Sequence, residues 1–206
     1  MNKEVLYVLL PDYAAHEMVY LSEAIASDEF ALKENPKYVN KVVAPTLDPV
    51  KSIGGFRVIP DYSFDTMPED YAALVLIGGF GWTAPVAEKV APIVSKAIEA
   101  GKVVGAICNA ASFMAKCGSL IMSGTLGMVW NNLSFGEETI IPISKVTSIR
   151  LAVSDNRIVT ANGSATLEFA KELLLLLEND TPERIEMYYQ FNKRGFCDLF
   201  PQYKQI

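Results

Sequence analysis

Three short apolar runs constrain this chain more than anything else in it. They are Glu4 to Leu10 (EVLYVLL), Ala72 to Ile77 (AALVLI) and Lys102 to Ile107 (KVVGAI), and they stop abruptly at Pro11, at Gly78-Gly79 and at Cys108. A strand with one face in water alternates apolar and polar residues; runs this continuous belong to strands covered on both faces, as in a parallel sheet. Between them lie segments of helical composition. Glu17 to Ala26 follows the first run, and TAPVAEKVAPIVSKAIEAGK separates the second from the third. In that segment Val86, Val90, Ile93, Val94 and Ile98 recur at helical spacing, Gly101 is placed to cap the end, and Pro92 predicts a kink or a restart.

The rest of the chain continues the pattern. Tyr38 to Ala44 predicts a strand, and Val50 to Phe64, with Gly54-Gly55 between two β-rich pieces, predicts a small hairpin excursion. Asn109 to Lys116 has helical composition. Ile149 to Val153 and Arg157 to Thr160 flank the turn Ser154-Asp155-Asn156. After Ala161-Asn162-Gly163, SATLEFAKELLLLLE is the clearest helix of the chain, and a last helix from Pro182 to Phe191 packs outside. Strands alternating with helices predict an α/β fold, a mostly parallel central sheet covered by helices on both faces. With 206 residues, no internal repeat and no linker-like segment, a single domain over 1–206 is expected.

Composition narrows the function classes. A formal charge of −6 with no Lys/Arg run argues against nucleic acid. No stretch approaches the length of a membrane span, and the N-terminus lacks the pattern of a signal peptide. The three cysteines, Cys108, Cys117 and Cys197, are too few and too scattered for a disulfide framework, so a cytoplasmic protein is expected. There is no CxxC, no HExxH, a single histidine, and neither a GxGxxG fingerprint nor a P-loop. No metal and no cofactor are expected.

In sheets of this kind, sites form where loops leave the C-terminal ends of the strands. Ala106-Ile107-Cys108-Asn109-Ala110 places a cysteine between small residues, as a sharp nucleophile elbow requires. The turn sets the sulfur at a helix N-terminus, where free N–H groups and the dipole favour thiolate. The alternative is a buried cysteine acting as a small apolar residue. Gly78-Gly79 lets backbone approach a substrate oxygen, and with the N–H of Asn109 it would make an oxyanion hole; a plain left-handed turn explains the glycines equally well. Glu17, near the start of the first helix, is either an acid satisfying the dipole or a carboxyl exchanging a proton with the thiol. His16 points about 100° away from Glu17 on a helix, so a surface or packing role suits it. Trp82, Trp130 and Asn131 are candidate pocket residues, with core packing the alternative for the tryptophans.

Together these pieces resemble the ThiJ/PfpI family of the class I glutamine amidotransferase-like superfamily. The carrying segments are the opening strand with Pro11 and Glu17, LVLIGGFG at 74–81, GKVVGAICNAASFMA at 101–115 and TANGSATLEFAKELL at 160–174. The resemblance implies a flavodoxin-like sandwich, commonly homodimeric, with Cys108 at the elbow and Glu17 as its acidic neighbour. Activities in the family include hydration of small dicarbonyls, deglycase and amidohydrolase chemistry, isocyanide hydration, proteolysis and oxidative-stress sensing. Many members carry a histidine directly after the cysteine, where this chain has Asn109, or about twenty residues later, where Gly127 to Asn132 has none. That loss counts against proteolysis and amidotransfer. Three readings stay open: an enzyme acting on a small electrophile through Cys108 and Glu17, a sensor whose Cys108 is oxidised, and a ligand-binding member without catalysis. The partners expected are accordingly a small-molecule substrate or oxidant and a second copy of the chain, with no nucleic acid and no membrane.

Overall fold

A computed structural model describes residues 3–27, 32–117 and 151–203 of the chain. Its elements alternate as the apolar runs require. Strand β1 (Lys3–Val8) leads through helix α1 (His16–Ala26) to β2 (Tyr38–Ala44), and three two-residue strands follow: β3 (Val50–Lys51), β4 (Arg57–Val58) and β5 (Tyr62–Ser63). Then come β6 (Ala73–Leu76), α2 (Val90–Glu99), β7 (Val103–Ile107), α3 (Asn109–Lys116), the pair β8 (Ala152–Asp155) and β9 (Ile158–Ala161), and helices α4 (Thr166–Leu177), α5 (Pro182–Arg194) and α6 (Phe196–Leu199). The main sheet has seven strands in the order β5-β2-β1-β6-β7-β9-β8. Every neighbouring pair in it is parallel except β8 with β9. This is the mostly parallel, helix-covered sandwich that the strand–helix alternation predicts.

Side-chain alternation on the central strands separates two cores. Val5, Tyr7 and Leu9 of the first run join Ala73, Val75 and Ile77 beneath α1 and α4, while Leu6, Val8 and Leu10 join Leu74 and Leu76 beneath α2 and α3. Both faces of β1 and β6 are therefore buried, which is why their sequence is apolar without alternation. At roughly 25 cal/mol per Å² of apolar surface, each buried Val, Leu or Ile contributes about 1.5–3 kcal/mol.

Several boundaries differ from the sequence reading for local reasons. Residues 50–64 split: β3 and β4 form the antiparallel hairpin around Gly54-Gly55, but Tyr62–Ser63 leaves it to pair in parallel with β2 at the sheet edge. Pro92 restarts rather than kinks the helix. A 3₁₀ turn over Pro85–Lys89 precedes α2, and Pro92 then falls in the first turn of α2, where N–H groups have no intrahelical acceptor to lose. Helix α5 runs to Arg194, past the expected Phe191, and ends at Gly195 with φ 81°. Among the described residues, no helix is long and apolar enough to cross a membrane.

Candidate active site

The C-terminal ends of four adjacent strands, β1, β6, β7 and β9, meet at one edge of the sheet. Register brings them level: Val8 is opposite Leu76, Leu76 opposite Ala106, and Ala106 opposite Thr160. The residues that follow each strand therefore face one another. Four loops converge there: 9–15 after β1, Gly78-Gly79 after β6, Cys108 after β7 and Asn162-Gly163 after β9.

Cys108 caps α3 with φ 59° and ψ −129°, a sparsely populated conformation for a residue with a Cβ. Such backbone costs on the order of 1–3 kcal/mol and persists only where its surroundings impose it. Here the Cys108 N–H donates to Ala161 O at 3.0 Å, and the Cys108 carbonyl accepts from the N–H groups of Ala111 and Ser112 at the start of α3. The elbow is thus clamped between β9 and its own helix.

Glu17 is buried, at 2% exposure, on the first turn of α1. Its Oε2 accepts the Gly78 N–H at 2.7 Å, and its carboxyl is in hydrogen-bond contact with the Cys108 thiol. His16, one residue earlier, is exposed. The sulfur also faces the backbone N–H groups of Asn109 and Gly79. Among the described residues the structure thus brings together Cys108, Glu17, Gly78, Gly79 and Asn109.

The close approach depends on two glycines. A Cβ on Gly78 would lie 2.6 Å from Cys108 Cβ, 2.6 Å from Glu17 Oε2 and 2.8 Å from the Ile107 carbonyl oxygen, distances that real side chains do not reach. Gly79 has φ 134°, where L-residues are strained, and its Cβ would lie 2.6 Å from Tyr13 Cα. Gly78 O accepts the Ala14 N–H at 2.9 Å and the Phe80 N–H donates to Asp12 O at 3.1 Å, so the glycine loop is tied to the loop after β1.

The electrostatics differ from a simple helix-dipole expectation. Burial, and next the Glu17 charge, push the Cys108 thiol up to about 11, against the pull of the Asn109 and Gly79 N–H groups. Burial likewise raises Glu17 above the usual carboxyl value, opposed by the Gly78 N–H, by Cys108 and by His16. Two groups that each hold a proton more tightly than usual, in direct contact, titrate as a pair. The charged Glu17 carboxylate thus keeps the proton on the sulfur, and the N–H donors at the helix N-terminus act against it.

Other sequence candidates are placed elsewhere. Trp82 is 6% exposed in the core beneath α2 and α3, its indole N–H donating to Ile77 O at 2.7 Å and its ring centroid 5.1 Å from that of Phe113. It packs in the core, with its one polar atom satisfied inside. Trp130 and Asn131 lie outside the described residues. Among the described residues, no group of three or more His, Cys, Asp or Glu side chains is arranged to hold a metal.

Gly163 was missed as a site residue. A Cβ there would lie 3.0 Å from Cys108 Sγ and 3.3 Å from Glu17 Oε1, so its backbone forms a wall of the site. Buried Asn162 folds the turn that carries it, its Oδ1 accepting the Ser164 N–H at 2.9 Å and hydroxyl at 2.6 Å. The signal was present: Asn162-Gly163 follows a strand end, where such folds place their sites.

Comparison with known proteins agrees with this fold. The DJ-1/PfpI family matches residues 3–176. A Bacillus subtilis protein named uncharacterized protease YdeA is 34% identical over 205 residues, covering 96% of each chain. The crystal structure of a ThiJ/PfpI family protein from Bacillus anthracis superposes with a TM-score of 0.78 at 25% identity, covering 98% of this chain and 95% of that one. A DJ-1 superfamily protein from Agrobacterium tumefaciens superposes with a TM-score of 0.74 at 28% identity, covering 93% of this chain and 98% of its own. Agreement in sequence and in fold over nearly the full length makes this chain a member of the DJ-1/PfpI family.

Proposed function

We propose that this protein is a cysteine-dependent enzyme for small reactive carbonyl compounds, with Cys108 as nucleophile and Glu17 as proton carrier. One observation carries the reading: the Cys108 sulfur meets a buried carboxyl with a raised proton affinity and two backbone N–H donors. The thiol proton passes to Glu17 as the sulfur adds to the carbonyl carbon. The C=O electron pair moves to oxygen, and the N–H groups of Gly79 and Asn109, released as the sulfur loses its charge, take up the oxyanion. Glu17 then returns the proton to that oxygen, giving a hemithioacetal. With a 2-oxoaldehyde, Glu17 next removes the former aldehyde hydrogen as a proton and returns it to the neighbouring carbon, while the hemithioacetal hydroxyl proton passes to the neighbouring oxygen. The resulting thioester is hydrolysed by water, so that dicarbonyl plus water gives a 2-hydroxy acid with no external oxidant.

Carbonyl addition suits this site better than the peptide hydrolysis that a relative's name suggests. Its first step expels no leaving group, whereas amide cleavage needs a proton delivered to a departing amine, a task usually given to histidine. The chain has one histidine, exposed His16. A second reading rests on the same two N–H donors. They equally suit the oxygens of a Cys108 sulfenic or sulfinic acid formed as a peroxide is reduced to alcohol or water.

The test is incubation of the full chain with methylglyoxal, following loss of the dicarbonyl and appearance of the hydroxy acid, with casein in parallel. Wild type should turn over, and Cys108→Ser and Glu17→Gln should each lose about 10²-fold or more. Wild-type turnover no faster than Cys108→Ser, or cleavage of casein alone, overturns the reading. Stoichiometric oxidation of Cys108 by peroxide without turnover favours the second.

A further inference from the structure

We propose that the side chain of Asn109 is a positioning residue that holds the Gly79 N–H on the Cys108 sulfur. The proposal rests on the reading of Cys108 and Glu17 as a working pair. Asn109 Nδ2 donates to Gly79 O at 2.8 Å. A carbonyl only accepts, so the NH₂ end of the amide must be the end that faces it. Gly79 sits at φ 134° and ψ −171°, a conformation with no side chain to stiffen it.

Four hydrogen bonds hold this loop, one of them from the Gly78 N–H to Glu17 Oε2 on α1. Ala14 N–H to Gly78 O and Phe80 N–H to Asp12 O anchor it to the segment after β1. The Asn109 bond instead joins it to the elbow, and so sets its register against the sulfur. The backbone N–H of the same residue also faces Cys108 Sγ. One asparagine thereby orients both donors, the first through its own backbone and the second through its amide.

The full-length protein is tested as wild type, Asn109→Ala, Asn109→Asp, Asn109→His and Glu17→Gln. The readouts are the pH–rate profile of Cys108 alkylation by iodoacetamide, resolved by peptide mass spectrometry, and the thermal midpoint. In Asn109→Ala the profile should move to higher pH, slowing alkylation about tenfold on its rising limb, because a donor to the thiolate is no longer held in place. Asn109→Asp should be slower still, since a carboxylate cannot donate to a carbonyl and adds negative charge near the sulfur. Asn109→His should restore the profile, because imidazole Nδ1–H stands the same number of bonds from Cα as the amide nitrogen. A merely structural asparagine would lower the thermal midpoint and leave the profile in place. Superimposable profiles in wild type and Asn109→Ala, with the Glu17→Gln profile displaced to lower pH, overturn the proposal and leave the pair standing. A Glu17→Gln profile that coincides with wild type overturns both.

Discussion

Replacing Glu17 by glutamine removes the carboxylate that faces the Cys108 sulfur while keeping the shape of the side chain. In Glu17→Gln the amide oxygen still accepts the Gly78 N–H now bonded at 2.7 Å, and the NH₂ group turns to the sulfur. In wild type the thiol is pushed from the usual 9.0 to about 11, and both effects of Glu17, its charge and its hydrogen bond, act upward. Without them burial still raises the thiol, and the two N–H groups still lower it. A carboxylate at contact distance shifts a neighbouring acid by about one to three units, so the step near 11 in the alkylation profile should move down by that amount. Turnover should fall in the same variant, because an amide cannot hold and return a proton. More reactive sulfur with less catalysis is an outcome that a general loss of structure does not produce. The assay is iodoacetamide labelling from pH 6 to 11, read on the Cys108 peptide, beside the dicarbonyl assay. A high-pH step that stays put or rises in Glu17→Gln would refute the reasoning, since the carboxylate would then not be what retains the thiol proton. Stability supplies an independent sign. Burial raises the folded-state pKa of Glu17 above its usual 4.5, so its contribution is fully present below the unfolded value and is lost as pH rises through the folded one. Glu17→Gln should therefore gain stability relative to wild type as pH rises from 4 to 8.

Two glycine substitutions separate packing from access. Gly78→Ala drives a Cβ to 2.8 Å from the Ile107 carbonyl, which cannot yield as a flexible side chain does. It should destabilise by about 1–3 kcal/mol in urea unfolding and slow alkylation of Cys108; an unchanged urea midpoint would contradict the packing described. Gly163→Ala first meets side-chain atoms of Cys108 and Glu17, from 3.0 Å, and no backbone atom comes nearer. The fold should hold, while alkylation by a bulky maleimide slows more than oxidation by hydrogen peroxide; equal slowing of both would place Gly163 away from the approach path.

The architecture was legible in the residues because it follows from local rules. Tyr38–Ala44 and Asn109–Lys116 begin and end where composition and periodicity place them. The continuous apolar runs at 4–10, 72–77 and 102–107 mark strands buried on both faces. Small neighbours around Cys108 mark a sharp turn, and the positive φ is there. Nearby features were harder to read when a distant partner decided them. The Val50–Phe64 segment looks like one hairpin until β2 claims Tyr62–Ser63 at the sheet edge.

By itself, then, the sequence determined the sandwich, the strand ends at which chemistry is placed, and the kinds of residue found there, since periodicity, turn chemistry and chain order are properties of neighbouring residues. Tertiary structure alone decided how those residues act on one another. It put Glu17 against a sulfur far along the chain, so that two raised proton affinities oppose the dipole of α3. It turned the Asn109 amide onto Gly79, set Gly163 against the sulfur and sent Trp82 into the core. Burial, Coulomb interaction and hydrogen bonding depend on distances of a few ångströms between atoms remote in sequence, and those distances exist only once the sheet has brought four strand ends together.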